Sequence, residues 1–153
     1  MRRFIWGVVA LCLAATIVGT ASAGQALTKA RYIAKLRAAN AVSAKADDAA
    51  TAAFGSRKAT AAQVRAKLFA MGRAHVAVGR EFAALVPPRA AAKANADFAH
   101  AEIVFGRENE VIARKLPSTK PAIAKYLQSL KPPAGGKLLD HAIAELHAAG
   151  FRI

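Results

Sequence analysis

Cysteine is almost missing from this chain: of 153 residues one is a cysteine, Cys12. It lies in an apolar stretch near the N-terminus, so everything downstream is without an internal disulfide or thiolate chemistry. Acidic residues are scarce as well, nine against 23 lysines and arginines. The resulting formal charge of +14 is a field that attracts phosphate-bearing polymers and acidic lipid headgroups and that salt screens. No block of five basic residues interleaved with aromatics occurs, which argues against a dedicated nucleic-acid surface. Aromatic residues make up 7% of the chain and β-branched residues are thin, so a sheet has little to be built from. The recurring motifs of catalysis are also missing. There is no Cys-x-x-Cys-His tract for covalent haem and no His-Glu-x-x-His for catalytic zinc. Ser43, Ser56, Ser118 and Ser129 sit in capping or helical contexts, without the strand-to-helix elbow of a hydrolase. An enzyme is not expected.

What is present begins with a leader. Met1-Arg2-Arg3, an apolar run from Phe4 to Val18 and Ala21-Ser22-Ala23 read as a secretory signal peptide cut after Ala23. A membrane-spanning helix needs about 20 apolar residues, more than this run supplies, so stable membrane insertion after cleavage is not expected. Losing residues 1–23, with Arg2 and Arg3, leaves 130 residues and lowers the charge by two to +12. Residues 24–153 are long enough for one domain, exported to a secreted or extracytoplasmic location. Thirty-six of those 130 are alanine, the best helix former and a poor contributor of buried area. The fold class that follows is all-α, with helices that pack closely on small side chains.

The spacing predicts four helical segments, the last one broken. The first runs from a Thr28 cap to about Phe54, with Leu27 and Tyr32 as a hydrophobic staple and Ile33, Leu36, Asn40, Ser43, Asp47, Ala50 and Phe54 as its inner stripe. The second opens on Thr60-Ala-Ala-Gln63, a capping box, and carries Val64, Leu68, Met71, His75, Val78, Phe82 and Leu85. Gly72 and Gly79, seven apart, offer a neighbouring backbone close approach. Pro87 ends this helix near Val86, and Pro88 starts the third, which runs to about Leu116 with Phe98, Phe105, Glu108 and Ile112 on one face. The fourth starts near Thr119, turns Ile123, Leu127 and Leu130 inward, breaks at Pro132-Pro133 through Gly136, and resumes with Leu139, Ala142, Leu146 and Ala149. Short connections and four apolar faces predict an up-down four-helix-type bundle. Heptad stripes also serve seams between copies, so a homo-oligomer is a second way to bury them.

Leu27-Thr-Lys-Ala-Arg-Tyr-Ile-Ala-Lys35, with the Leu85-Val-Pro-Pro88 corner, resembles a broad group of uncharacterised secreted and lipoprotein-like helical proteins of actinobacteria. That group often has a cysteine where this chain has Asn40, so any disulfide the group forms there is absent. The resemblance implies an extracytoplasmic helical protein and brings no activity with it.

His75 is the one candidate for cofactor or ligand binding, because an imidazole on an apolar stripe needs partners for both ring nitrogens. It reads either as an axial haem or metal ligand, with Met71 or Asp47 nearby, or as a core histidine hydrogen-bonded to Asp47, Asn40, Ser43 or Glu108. Asp97-x-x-His100 is a single copy, and di-iron bundles use two Glu-x-x-His copies, so no metal set is expected. His141 and Glu145 are one turn apart and read as a surface pair. Asn40, Asp47, His75 and Glu108 form either a structural network or the lining of a cavity. The functional expectation is a non-enzymatic, cationic envelope or interaction protein that contacts anionic envelope components and needs no cofactor. The alternative is an extracytoplasmic carrier of a small ligand, haem or metal centred on His75.

Overall fold

A computed structural model of the protein describes residues 25–152. The leader and its cleavage after Ala23 lie outside the described residues. Among the described residues there is no strand, and the chain forms five helices: α1 (Lys29–Gly55), α2 (Ala61–Ala83), α3 (Ala92–Lys115), α4 (Lys120–Ser129) and α5 (Ala134–Ala148). A single 3-10 turn, Arg89–Ala91, precedes α3. None of these helices is long and apolar enough to cross a membrane.

Helix starts follow the local chemistry. Thr28 accepts from the Arg31 amide and caps α1, and Thr60 with Gln63 forms the reciprocal box at α2. Helix ends depart from expectation where tertiary contacts intervene. The second helix closes at Ala83, three residues short of Val86, because Asn95 from α3 donates to the Phe82 carbonyl (3.0 Å) and Leu27 takes the Val86 carbonyl (2.9 Å). Pro88 stays extended, so the third helix enters through the 3-10 turn instead of starting on the proline. At α5 the difference is larger: Gly135 and Gly136, expected in a loop, lie in its first turn. Glu108 supplies the reason, since its carboxylate accepts the Gly135 amide at 2.8 Å, where a helix N-terminus favours negative charge. The same helix stops on a Schellman turn. Gly150 adopts φ 83°, Phe151 N donates to the Leu146 carbonyl, and the Phe151 ring swings into the core.

The helices form a bundle whose closest seam joins α2 to α3. Their contacts run antiparallel: Gly79 meets Ala99 and Gly72 meets Gly106, with no side chain between the backbones. Helix α1 lies antiparallel along α2, joined by Lys35–Glu81 and Asp47–His75, and α5 runs antiparallel to α3 with Gly135 against the Phe105 backbone. The core divides into two apolar clusters. One gathers Tyr32, Leu36, Phe82, Phe98, Leu146 and Phe151 near the Pro87-Pro88 corner. The other holds Val64, Leu68, Met71, Leu116 and Ile123 at the opposite end, where α4 packs. Ser43, His75 and Glu102, all buried, with half-exposed Asp47, fall between the two.

The glycine seam gives the first prediction. A methyl at Gly106 meets the Gly72 carbonyl and Val76, whereas one at Gly55 meets nothing within 4 Å. Gly106→Ala is expected to lower the unfolding free energy by about 1–3 kcal/mol, the usual cost of overpacking. Gly55→Ala is expected to leave it unchanged or raise it by up to ~1 kcal/mol, the helix-propensity gain. Urea denaturation at constant slope measures both.

Candidate functional site

The layer between the two clusters is built by three helices. His75, 2% exposed, projects from α2 and is held at both ring nitrogens: Nδ1 lies 2.5 Å from Glu102 Oε2 on α3, and Nε2 lies 2.9 Å from Asp47 Oδ1 on α1. The Phe105 ring stands edge-on to the imidazole, with centroids 4.7 Å apart. Two carboxylates accept and do not donate, so this arrangement asks both ring nitrogens for a proton and favours the imidazolium. Burial alone lowers the pKa of His75, but the hydrogen bonds and charges of Asp47 and Glu102 outweigh it and push the value up to about 9. The group is then a cation between two anions, a geometry that compensates buried charge.

Expectation and structure agree on His75 and Asp47 and part company on the others. Asn40 is exposed, at the rim, because α1 turns Tyr32 and Ala39 inward beside the expected Leu36, Ser43 and Ala50 and leaves Asn40 outside. Glu108 is half-buried but bonds α5, and is no part of the histidine network. Glu102 takes the place assigned to it. The missed signal lies on α3 itself. Asn95, Ala99, Glu102, Gly106, Asn109 and Ala113 form a second buried stripe beside the Phe98–Ala101 face, polar and small residues in alternation. This stripe lies against Gly72 and Gly79 of α2. His141 pairs with Glu145 at 3.6 Å on the surface, as expected, and Lys93 joins Asp97 and Glu145 beside it.

A cavity of about 110 Å³ opens against the network, lined by Ser43, His75, Glu102, Phe98, Leu139 and Ile143, with Asn40 and Asp47 toward its mouth. Ser43 Oγ, buried, has no hydrogen-bond partner among the described residues. Comparison with known family models, curated proteins and solved structures finds no match for this chain. What the site can do therefore rests on its own geometry. A serine-hydrolase reading does not suit it, because a general base needs a free ring nitrogen facing the nucleophile and both nitrogens of His75 are taken. Metal ligation fits poorly as well. Glu102 and Asp47 bind opposite edges of the ring and cannot converge on one ion, and the described residues contain no cluster of three or more metal-ligating side chains suited to an ion. A haem has no room in 110 Å³, against the 300–1,000 Å³ typical of ligand pockets.

The elevated histidine pKa fixes the sign of a pH effect. A group raised from 6.5 to about 9 in the folded state lends stability that is whole below about pH 6.5 and is lost as pH climbs through about 9. Unfolding free energy is expected to fall by about 3 kcal/mol over that window, since each tenfold change in proton affinity is worth ~1.4 kcal/mol. In Glu102→Gln, which keeps the shape and removes one anion, the decline should shrink by about half. Chemical denaturation across pH 6 to 10 reads both curves, and a flat profile for the native protein contradicts the imidazolium.

Proposed function

We propose that the mature chain is an exported, non-enzymatic, up-down four-helix-type bundle that binds anionic components of the cell envelope through its positive surface. The observation that carries this reading is how few acids remain to offset the cations. Of the nine acidic residues, seven are engaged: Asp47 and Glu102 by His75, Glu81 by Lys35, Asp97 and Glu145 by Lys93, Glu110 by Arg114 and Glu108 by the Gly135 amide. Asp48 and Asp140 are left. Among the 21 lysines and arginines from Lys29 to Arg152, only Lys35, Lys93 and Arg114 meet an acid. Arg65 and Lys120 serve backbone carbonyls at helix ends, and most of the remainder are exposed. A surface of this kind attracts polyanions over a Debye length of about 8 Å at physiological salt. The sequence likeness of Leu27–Lys35 to secreted helical proteins is in keeping with an extracytoplasmic setting.

A second reading is favoured by the cavity beside Ser43 and His75, which suits a small polar ligand carried inside the bundle. The two readings separate cleanly. Charge-driven binding to vesicles rich in anionic lipid is expected to weaken at least about tenfold between 0.05 and 0.5 M salt, and to be indifferent to His75→Ala. A carrier instead loses its ligand in that variant at any ionic strength. Vesicle co-sedimentation, with mass and absorption spectra of the purified protein, distinguishes them, and salt-independent vesicle binding defeats the first reading.

A further inference from the structure

At the end of the bundle opposite the Pro87-Pro88 corner, α3, α4 and the segment leading into α5 leave a groove of about 400 Å³. It is separate from the histidine cavity and shares no residue with it. Its floor is aliphatic and aromatic: Val111, Ile112, Tyr126, Leu130 and Pro133. Val111 is 44% exposed, one of only four large apolar side chains that stand out from the surface among the described residues. Apolar surface removed from water is worth roughly 25 cal/mol per Å², so this floor offers an apolar occupant a place to bury itself.

The rim says which occupant. Arg107, Lys115 and Lys131 border the same groove, all exposed, and none is in an ion pair among the described residues. The one acid present, Glu108, has its Oε2 turned to the Gly135 amide, so the rim remains net positive. A second mature copy of this chain would bring its own +12 surplus against these cations, and the leader would bring Arg2 and Arg3. Like charge disfavours both. A nucleic acid satisfies the charge and leaves the aliphatic floor uncovered, since single strands bind by stacking on aromatic side chains. An amphiphile satisfies both halves. The volume stands at the lower end of the range for small-molecule sites, about 300–1,000 Å³, which suits one alkyl chain.

We infer that the α3–α4 groove binds a single-chain lipid anion of the fatty-acid class, its alkyl chain along Val111, Ile112, Tyr126 and Leu130 and its carboxylate at Arg107, within the positive field of Lys115 and Lys131. This goes beyond the surface field proposed above, because it assigns a local site with a shape. Arg107 offers the planar fork that matches a carboxylate, and the two lysines add point charges. Burial of the chain supplies the affinity and the cations set the head-group preference.

The test is titration of the purified protein with a fluorescent polyene fatty acid, followed by displacement. Hexadecanoate is expected to displace the probe at least about tenfold better than hexadecanol, since a charge-assisted hydrogen bond is worth one to two powers of ten in affinity. Val111→Asp, at an exposed position, and the double variant Lys115→Glu/Lys131→Glu are each expected to weaken hexadecanoate about tenfold or more. Circular dichroism verifies that both keep their helices. Failure of the probe to bind, equal displacement by the alcohol, or unchanged affinity in Val111→Asp overturns the assignment. Vesicle binding of the same variants keeps the two proposals apart. Loss of fatty-acid binding with anionic vesicles still bound supports a distinct groove site, and fatty-acid binding without vesicle binding supports the groove while removing the envelope reading.

Discussion

Everything in this molecule depends on how closely α2 and α3 approach. Gly72, Gly79 and Gly106 remove the side chains that would hold the two backbones apart, and dispersion between them, small per atom pair and large in sum, replaces the area that an alanine-rich chain cannot bury. The approach also has a chemical result. It sets His75 at hydrogen-bond distance from Glu102 and brings Asn95 under the last carbonyls of α2, where its amide donates to Phe82 and its oxygen accepts from the Tyr32 hydroxyl. Tyr32 is thereby drawn against Phe82 and Phe151, and burial pushes its phenol up to about 12. One short interhelical distance thus positions the polar layer, ties the first helix to the second and third, and places the aromatic cluster.

The histidine layer has the character of a brace. A carboxylate on each ring nitrogen leaves no lone pair for proton abstraction, so the residue that looks most like chemistry in the sequence has both of its ring nitrogens engaged. Polar groups placed between apolar clusters restrict helix register, because sliding by one turn would strand a buried charge. The charge pattern outside complements it: with His75 protonated the triad carries one net negative charge inside a strongly positive shell, and a positive surround favours buried carboxylates. The chain spends two of its acids on this layer, one reason so few are left on the surface.

How much of this was legible in the sequence can be argued residue by residue. The Thr28 and Thr60 caps and the capping box at Gln63 were readable because capping is local, decided within four residues. Gly72 and Gly79 were readable as a close-approach line, although the partner Gly106 was not identified. The all-helical class followed from composition. Choosing Glu108 over Glu102 failed because α3 has two buried stripes, and a single heptad line through Phe98 and Phe105 misses the one that carries Asn95, Glu102 and Gly106. Asn40 was misplaced for a related reason: in an alanine-rich helix the inner stripe is weakly marked, and Tyr32 and Ala39 take the inward positions expected of Ile33 and Asn40. The glycines at 135 and 136 look like a loop until the Phe105 backbone is seen to require a residue without a side chain at 135. The groove was not legible, although its lining falls between Arg107 and Pro133, because it depends on how α4 and the segment into α5 fold back on the end of α3.

The division of the core also bears on how the chain assembles. The helices that meet most intimately, α2 and α3, are consecutive and joined by the Pro87-Pro88 corner, so bringing them together closes a short loop and costs little chain entropy. The Tyr32 cluster needs residues from both ends of the described chain, from Leu36 to Leu146. Contacts that bridge such separations are formed late when local ones are available. The His75–Glu102 and His75–Asp47 bonds span only 27 and 28 residues, so local closure of α1, α2 and α3 is expected to assemble the polar layer before α5 completes the Tyr32 cluster.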